Sequence, residues 1–262
     1  MKGFAAAFWS EFLKTRRSVI LWITLVIFAF MALMMGLFVY LARNPDLVSN
    51  SAILNAKTSV LGKTDWPGYF MLLYQMVAAI GLIGFGFVFS WLFGREYSDH
   101  TIKDLLALPV SRDTIVWAKY VIAVIWSIIL SGILLILGIL SGKVIGMEGW
   151  SVELVRQASG IFCGTVMMTI VLSTPVAFFA SYGRGFLVPI GYLILIMIIT
   201  QFAVSAIPIV APYFPWAIPV LYSGGAGPES AHLGLTSYLI LGLTGILGIA
   251  GTLAWWRYTD QK

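Results

Sequence analysis

Apolar residues run along this chain in six blocks separated by short polar segments: about 19–41, 68–93, 120–140, 159–180, 186–207 and 236–256. A helix needs roughly 20 predominantly apolar residues to cross the hydrocarbon of a bilayer, so each block predicts one membrane-spanning helix. A different pattern precedes the first block. Phe4, Ala5, Phe8, Trp9 and Phe12 recur at helical spacing, with Lys2, Glu11 and Lys14 elsewhere on the wheel. That predicts a helix over residues 1–17 lying in the membrane interface. Before the sixth block the pattern breaks differently. Pro208, Pro212, Pro215, Pro219 and Pro228 forbid one continuous helix, yet Tyr213, Phe214, Trp216 and Tyr222 make the stretch too apolar for a free loop. Short broken helices in the outer leaflet, with aromatic rings at headgroup level, are expected there. The fold class is all-α integral membrane, in a single domain over residues 1–262.

Composition agrees, with 60% hydrophobic and only 10% charged residues, where a soluble domain carries about 25% charged. The net charge is +5, and its placement is a topology signal rather than a sign of nucleic-acid binding. Six spans put both termini on one side. That side collects eleven of the sixteen basic residues, from Lys2, Lys14, Arg16 and Arg17 through Arg95, Lys103, Arg112 and Lys119 to Arg184, Arg257 and Lys262. Both termini are therefore expected to be cytoplasmic in a multi-pass protein of the cell membrane. The first block is too long for a cleaved signal, whose apolar region has about 7–15 residues before a small-residue cleavage site, so it reads as an uncleaved anchor. The single cysteine, Cys163, lies in an apolar run and is expected to be a small core hydrophobe.

Several function classes are disfavoured. None of the six blocks contains Asp, Glu, Lys, Arg or His in its interior, whereas ion-coupled carriers place ionisable groups within the bilayer. Neutral polar residues inside the blocks include Gln75, Thr165, Thr169 and Gln201. They are candidates for a substrate path or, alternatively, for hydrogen bonds between helices. No His-Glu-x-x-His run and no Cys/His cluster at metal spacing occurs, so no catalytic or metal-binding residues are assigned. Gly62-Lys63-Thr64 resembles the end of a phosphate-binding loop, but the first glycine of that motif would fall on Lys57. Any ATP must act on another polypeptide. Gly160 with Gly164, and Gly242, Gly245, Gly248 and Gly251, sit at close helical spacing and suit either packing within the chain or a dimer face.

The charge between the second and third blocks is concentrated in residues 94–112. Ser98 or Asp99 can cap a helix start, a short helix can run over residues 101–108, and Pro109 stops it. Ile102, Leu105, Leu106 and Leu108 give it an apolar side, and Ser111 can cap the next helix, which continues through Lys119. The segment fits either a docking element for a soluble partner or an interfacial hairpin with none.

The run Arg95-Glu96-Tyr97, Thr101-Ile102, Leu105-Leu106 and Leu108-Pro109-Val110-Ser111-Arg112, followed by Lys119, resembles the signature of the ABC-2 type transporter permeases. The layout resembles that family too, and in size the chain is similar to the permeases of bacitracin- and lantibiotic-resistance exporters. One departure stands out: His100 replaces the glycine that usually precedes the threonine, which argues against a tight left-handed turn there. The resemblance implies an exporter of amphipathic or hydrophobic cargo. A second permease subunit, identical or a sister chain, would complete the pore within membrane lipid. Two copies of a cytoplasmic ABC ATPase would hold ATP-Mg, and this chain would bind no cofactor directly. The helix over residues 101–108 would be the coupling helix, with Glu96, Thr101, Leu105, Leu108, Pro109 and Arg112 as ATPase-coupling residues. A stand-alone secondary transporter and a non-transporting scaffold or sensor are the alternatives.

Overall fold

The computed structural model describes residues 2–44, 65–102, 110–225 and 233–259. Helix α1 (Lys2–Arg16) leads, followed by α2 (Val19–Arg43), α3 (Trp66–Ser98), α4 (Arg112–Ile145), α5 (Val152–Tyr182), α6 (Leu187–Ala206), a short α7 (Ile218–Tyr222) and α8 (Leu235–Tyr258). Six of these, α2 to α6 and α8, are long and apolar enough to cross a membrane, so the chain is a multi-pass membrane protein. Two of the sequence limits change markedly. Helix α3 has 33 residues and α4 has 34, about 50 Å each at 1.5 Å per residue, well beyond a hydrocarbon core of about 30 Å. Helix α3 continues through Arg95 and Glu96, which the sequence pattern placed in a loop, while α4 starts at the Ser111 cap expected of it and runs on past residue 140.

The local starts and stops are chemical. Ser18, Asp65, Ser111 and Ser151 each cap a helix by accepting a hydrogen bond from a backbone N–H two or three residues on. Helix α3 contains a π-helical turn over Val77–Gly81. It ends in a Schellman arrangement, with Thr101 N–H donating to Glu96 O (2.9 Å) and His100 N–H to Tyr97 O (3.3 Å). His100 sits at the left-handed position, φ +57°. The tight turn that its identity argues against is present. Two hydrogen bonds hold a residue that carries the steric cost glycine would avoid.

Helices α3 and α5 form the centre. In their most apolar stretches 67% and 61% of residues are buried, against 28% in α2, α6 and α8. Phe70, Leu73, Phe85, Phe89 and Phe93 of α3 are fully buried. Helices α5 and α8 approach each other closely through glycines. A Cβ built on Gly248 would lie 2.6 Å from the backbone nitrogen of Pro175, one on Gly245 would meet Val171 at 2.4 Å, and one on Gly251 would meet Phe178 at 3.3 Å. Pro175 lacks an N–H, so Val171 O loses its helical donor. The Thr174 hydroxyl, 2.8 Å away and shared with Gly245 O, supplies the replacement. Of the two uses open to these glycines, four pack within the chain, with Gly164 against the Tyr222 ring, while Gly160 and Gly242 face open space.

After α6 the prolines break the backbone as expected, into 3₁₀ turns at Ala211–Tyr213 and Pro215–Ala217 and then α7. These pieces pack against the bundle: Ala211, Ala217 and Ile218 are fully buried, and Trp216 Nε1 donates to Leu172 O at 3.2 Å. Cys163 departs from expectation and lies on the exposed side of α5.

The α5–α8 contact predicts a contrast between neighbouring glycines. Gly248→Leu should lower the stability of the purified protein by about 1–3 kcal/mol through overpacking, whereas Gly242→Leu should leave it nearly unchanged. Thermal melts in mild detergent measure the difference.

Candidate functional site

The basic end of the bundle is where α1, the end of α3 and the start of α4 meet. Lys119 falls on the same face of α4 as Ile115, Val116, Ile122, Ala123 and Trp126, all buried, so helical periodicity carries its ammonium inward. Glu11 is likewise buried on the inner face of α1 and Glu96 on that of α3, with Arg95 beside it.

These four side chains join into one network. Lys119 Nζ donates to Glu96 Oε1 (2.8 Å), Leu92 O (2.8 Å) and Glu11 Oε2 (3.1 Å). Arg95 donates from Nη2 to Glu11 Oε2 (2.7 Å) and from Nε to Glu96 Oε1 (3.0 Å). Its guanidinium lies 4.6 Å from the centre of the Trp91 ring, a cation–π contact. Lys14, which is 40% exposed, reaches Glu11 Oε1 at 2.9 Å. Lys119 itself is fully buried, and the two carboxylates are 2–3% exposed. Two buried cations balance two buried anions, and the lysine spends all three of its donors.

Glu11 records the field of this network. Burial alone would raise its carboxyl pKa, but Lys119, Arg95 and Lys14 together hold it down at about 2. Glu96 Oε2 is buried without a hydrogen-bond partner among the described residues.

A second set of contacts closes the same end. Arg112 Nη1, at the start of α4, donates to Trp256 O (3.0 Å) at the end of α8, a last-turn carbonyl with no helical donor of its own. Asp113 pairs with Arg257, and Trp256 Nε1 donates to Ser181 Oγ of α5 at 2.9 Å. Gly94 of α3 lies against Gly185, where a Cβ would come within 3.1 Å of the backbone oxygen.

The residues singled out from the sequence therefore part company. Glu96 is inside the fold, in a helix rather than a loop. Thr101 closes the Schellman turn and is exposed, and Ile102 beside it is 5% exposed. Arg112 ties two helix ends together. Leu105, Leu108 and Pro109 lie outside the described residues, as does the expected coupling helix they belong to. Of the path candidates, Thr165 and Thr169 are buried and donate to carbonyls of their own helix. Gln75 is half-buried, and Gln201 is exposed next to Ser205. Among the described residues no cluster of three or more His, Cys, Asp or Glu side chains could hold a metal ion. The roles of Glu11 and Lys119 are absent from the sequence reading, although both sit in phase with apolar neighbours, a position that marks a buried charge.

Comparison with known proteins was made against this geometry. The family described as ABC-2 family transporter protein matches residues 7–203, a stretch that contains all four buried charges. A bacitracin transport permease protein, BCRB of Bacillus licheniformis, is 28% identical over 186 residues, covering 71% of this chain and 88% of its own length. No solved structure matches the chain.

Two predictions concern the network. Lys119→Met removes one partner and leaves two buried carboxylates short of a cation, so it should cost about 3–5 kcal/mol, measured as loss of folded protein in detergent. Because the Glu11 pKa is depressed, its contribution to stability is complete above its ordinary value near 4.5 and is lost as pH falls toward about 2. Melting temperatures of the native chain should fall across that window more steeply than those of Glu11→Gln.

Proposed function

This chain belongs to the ABC-2 family of transporter proteins and is the membrane subunit of an ABC transporter; on that premise we propose that it exports an amphipathic or hydrophobic compound, such as a peptide antibiotic, driven by separate ATPase subunits. The observation that carries this reading is the family match over residues 7–203, with a bacitracin transport permease among the relatives. ABC permeases work with partner ATPases and usually with a second permease, and ATP is used on the partner. In this proposal two permease subunits frame the path and two ATPase subunits sit at the basic end of the bundle, which faces the cytoplasm.

Coupling is assigned to residues 101–112. The physical support comes from what flanks residues 103–109. On one side α3 ends in a hydrogen-bonded turn followed by buried Ile102. On the other, Ser111 caps α4, and Arg112 is bonded to the end of α8. A segment held at both ends on rigid helices passes a push to them as a rigid-body movement, where a loose loop would absorb it. Leu105 and Leu108 would seat in the ATPase, with Pro109 ending the helix and Glu96, Thr101 and Arg112 fixing its mounts. The apolar character of the exposed helix faces suits apolar cargo, and Gln75, Thr165, Thr169 and Gln201 are the proposed polar contacts along the path.

Leu105→Asp should abolish nucleotide-driven efflux at normal abundance in the membrane, with the ATPase no longer co-purifying in mild detergent. Undiminished efflux by this variant would refute the coupling assignment. Substrate movement in liposomes holding this chain without an ATPase would favour a secondary transporter instead.

A further inference from the structure

Among the described residues, apolar grooves open on the outside of the bundle: one lies between the ends of α2 and α4, and two others differ in what surrounds them. The larger, about 560 Å³ between α2 and α3, is lined by residues such as Phe30, Met34, Phe38 and Met76, and nothing charged lines it to select an occupant. The second, about 350 Å³, lies between α1, α2 and α4 and is lined by Phe8, Phe12, Leu21, Leu25, Ile125 and Ile129, among others. Its size falls within the range of small-molecule sites, about 300–1,000 Å³. It is open on one side, since Ile125 and Ile129 keep 41% and 50% of their surface exposed. Trp126 also lines it, and its ring N–H is spent on Thr24 Oγ1 at 3.2 Å, so the wall it presents is apolar.

The second groove differs from the first at its mouth. Thr15 lines it, and the next two residues in the chain are Arg16 and Arg17, both exposed. Neither forms an ion pair with any described acidic residue, and Glu11, the one carboxylate among residues 2–44, is buried in the network with Lys119 and Arg95. From Ile122 to Ile129 the groove runs about 10 Å along α4 at 1.5 Å per residue. An apolar slot of that depth, with two exposed arginines where α1 and α2, two of its walls, join, has the two-part chemistry of an anionic phospholipid.

We propose that this groove is a binding site for one anionic phospholipid, its acyl chain against Phe12, Leu25 and Ile129 and its phosphate at Arg16 and Arg17. The chain in the groove would touch α1, α2 and α4 together and so brace the helix that carries Glu11. Guanidinium groups pair well with phosphate oxygens, and a basic residue at a membrane surface contributes about 1 kcal/mol toward anionic lipid. The proposal does not depend on what the transporter carries.

Native mass spectrometry of the full chain in mild detergent, titrated with dioleoyl phosphatidylglycerol or dioleoyl phosphatidylcholine, tests it. Phosphatidylglycerol should bind more tightly. Arg16→Gln and Arg17→Gln should each weaken it about fivefold, with phosphatidylcholine unaffected. Ile129→Trp, which fills the groove from a half-exposed position, should weaken phosphatidylglycerol with both arginines present. Equal binding of the two lipids, an unchanged preference in the double arginine variant, or indifference to Ile129→Trp would each overturn the site. Full displacement of the lipid by free glycerol 3-phosphate would also overturn it, because the site would then be one for a soluble anion.

Discussion

The ammonium of Lys119 held between the carboxylates of Glu11 and Glu96 is the interaction on which the basic end of this protein depends. Each of these charges would be costly to bury alone. Together with Arg95 they form a neutral set of four, drawn from three helices. The set constrains position more than it adds stability, because an ion pair taken out of water gives back much of its attraction as lost hydration. Its consequence is that α1, the end of α3 and the start of α4 form one body. Helix α1 cannot lift away without leaving Lys119 and Arg95 short of a carboxylate inside the fold.

The other contacts at this end extend the same body. Arg112 and Asp113 bind the end of α8, Trp256 binds Ser181 of α5, and Gly94 admits Gly185. The segment of residues 103–109 leaves from this body and returns to it. Under the coupling proposed above, a push on that segment would reach the central helices through these flanking contacts. Away from this end the forces change. Helices α5 and α8 meet through glycines against Pro175, backbone to backbone, while α2, α6 and much of α8 keep large apolar side chains outward, as a lipid-facing surface does.

The six spans, a helix before the first of them and the proline-broken stretch before the last span were legible in the sequence, because apolar blocks and prolines act locally. The lengths of α3 and α4 were not. Charged residues usually mark the ends of a span, and Arg95 and Glu96 were assigned to a loop on that rule, while Lys119 was placed in a helix with no buried role. The structure shows otherwise: Lys119 continues the Ile115, Ile122 and Trp126 face, and Glu11, which the wheel set apart from the aromatic residues, lies on the buried face with Phe8 and Phe12. A charge in phase with a buried face signals a partner elsewhere, but the partner's identity needs three dimensions. His100 shows the limit of reading glycine from a turn, since two hydrogen bonds hold its left-handed backbone. Cys163 fell on the outer side of α5 because an apolar run in a membrane helix has no single inward face.

The claim that α1, α3 and α4 move as one body is tested most directly by spin-label distances in the complex with its ATPase. Labels at positions 5 and 128 would report α1 against α4, and labels at 128 and 243 would report α4 against α8, with Cys163 replaced by serine. The 5–128 distance should be the same with and without bound nucleotide while the 128–243 distance changes. A nucleotide-dependent change between positions 5 and 128 would contradict the account.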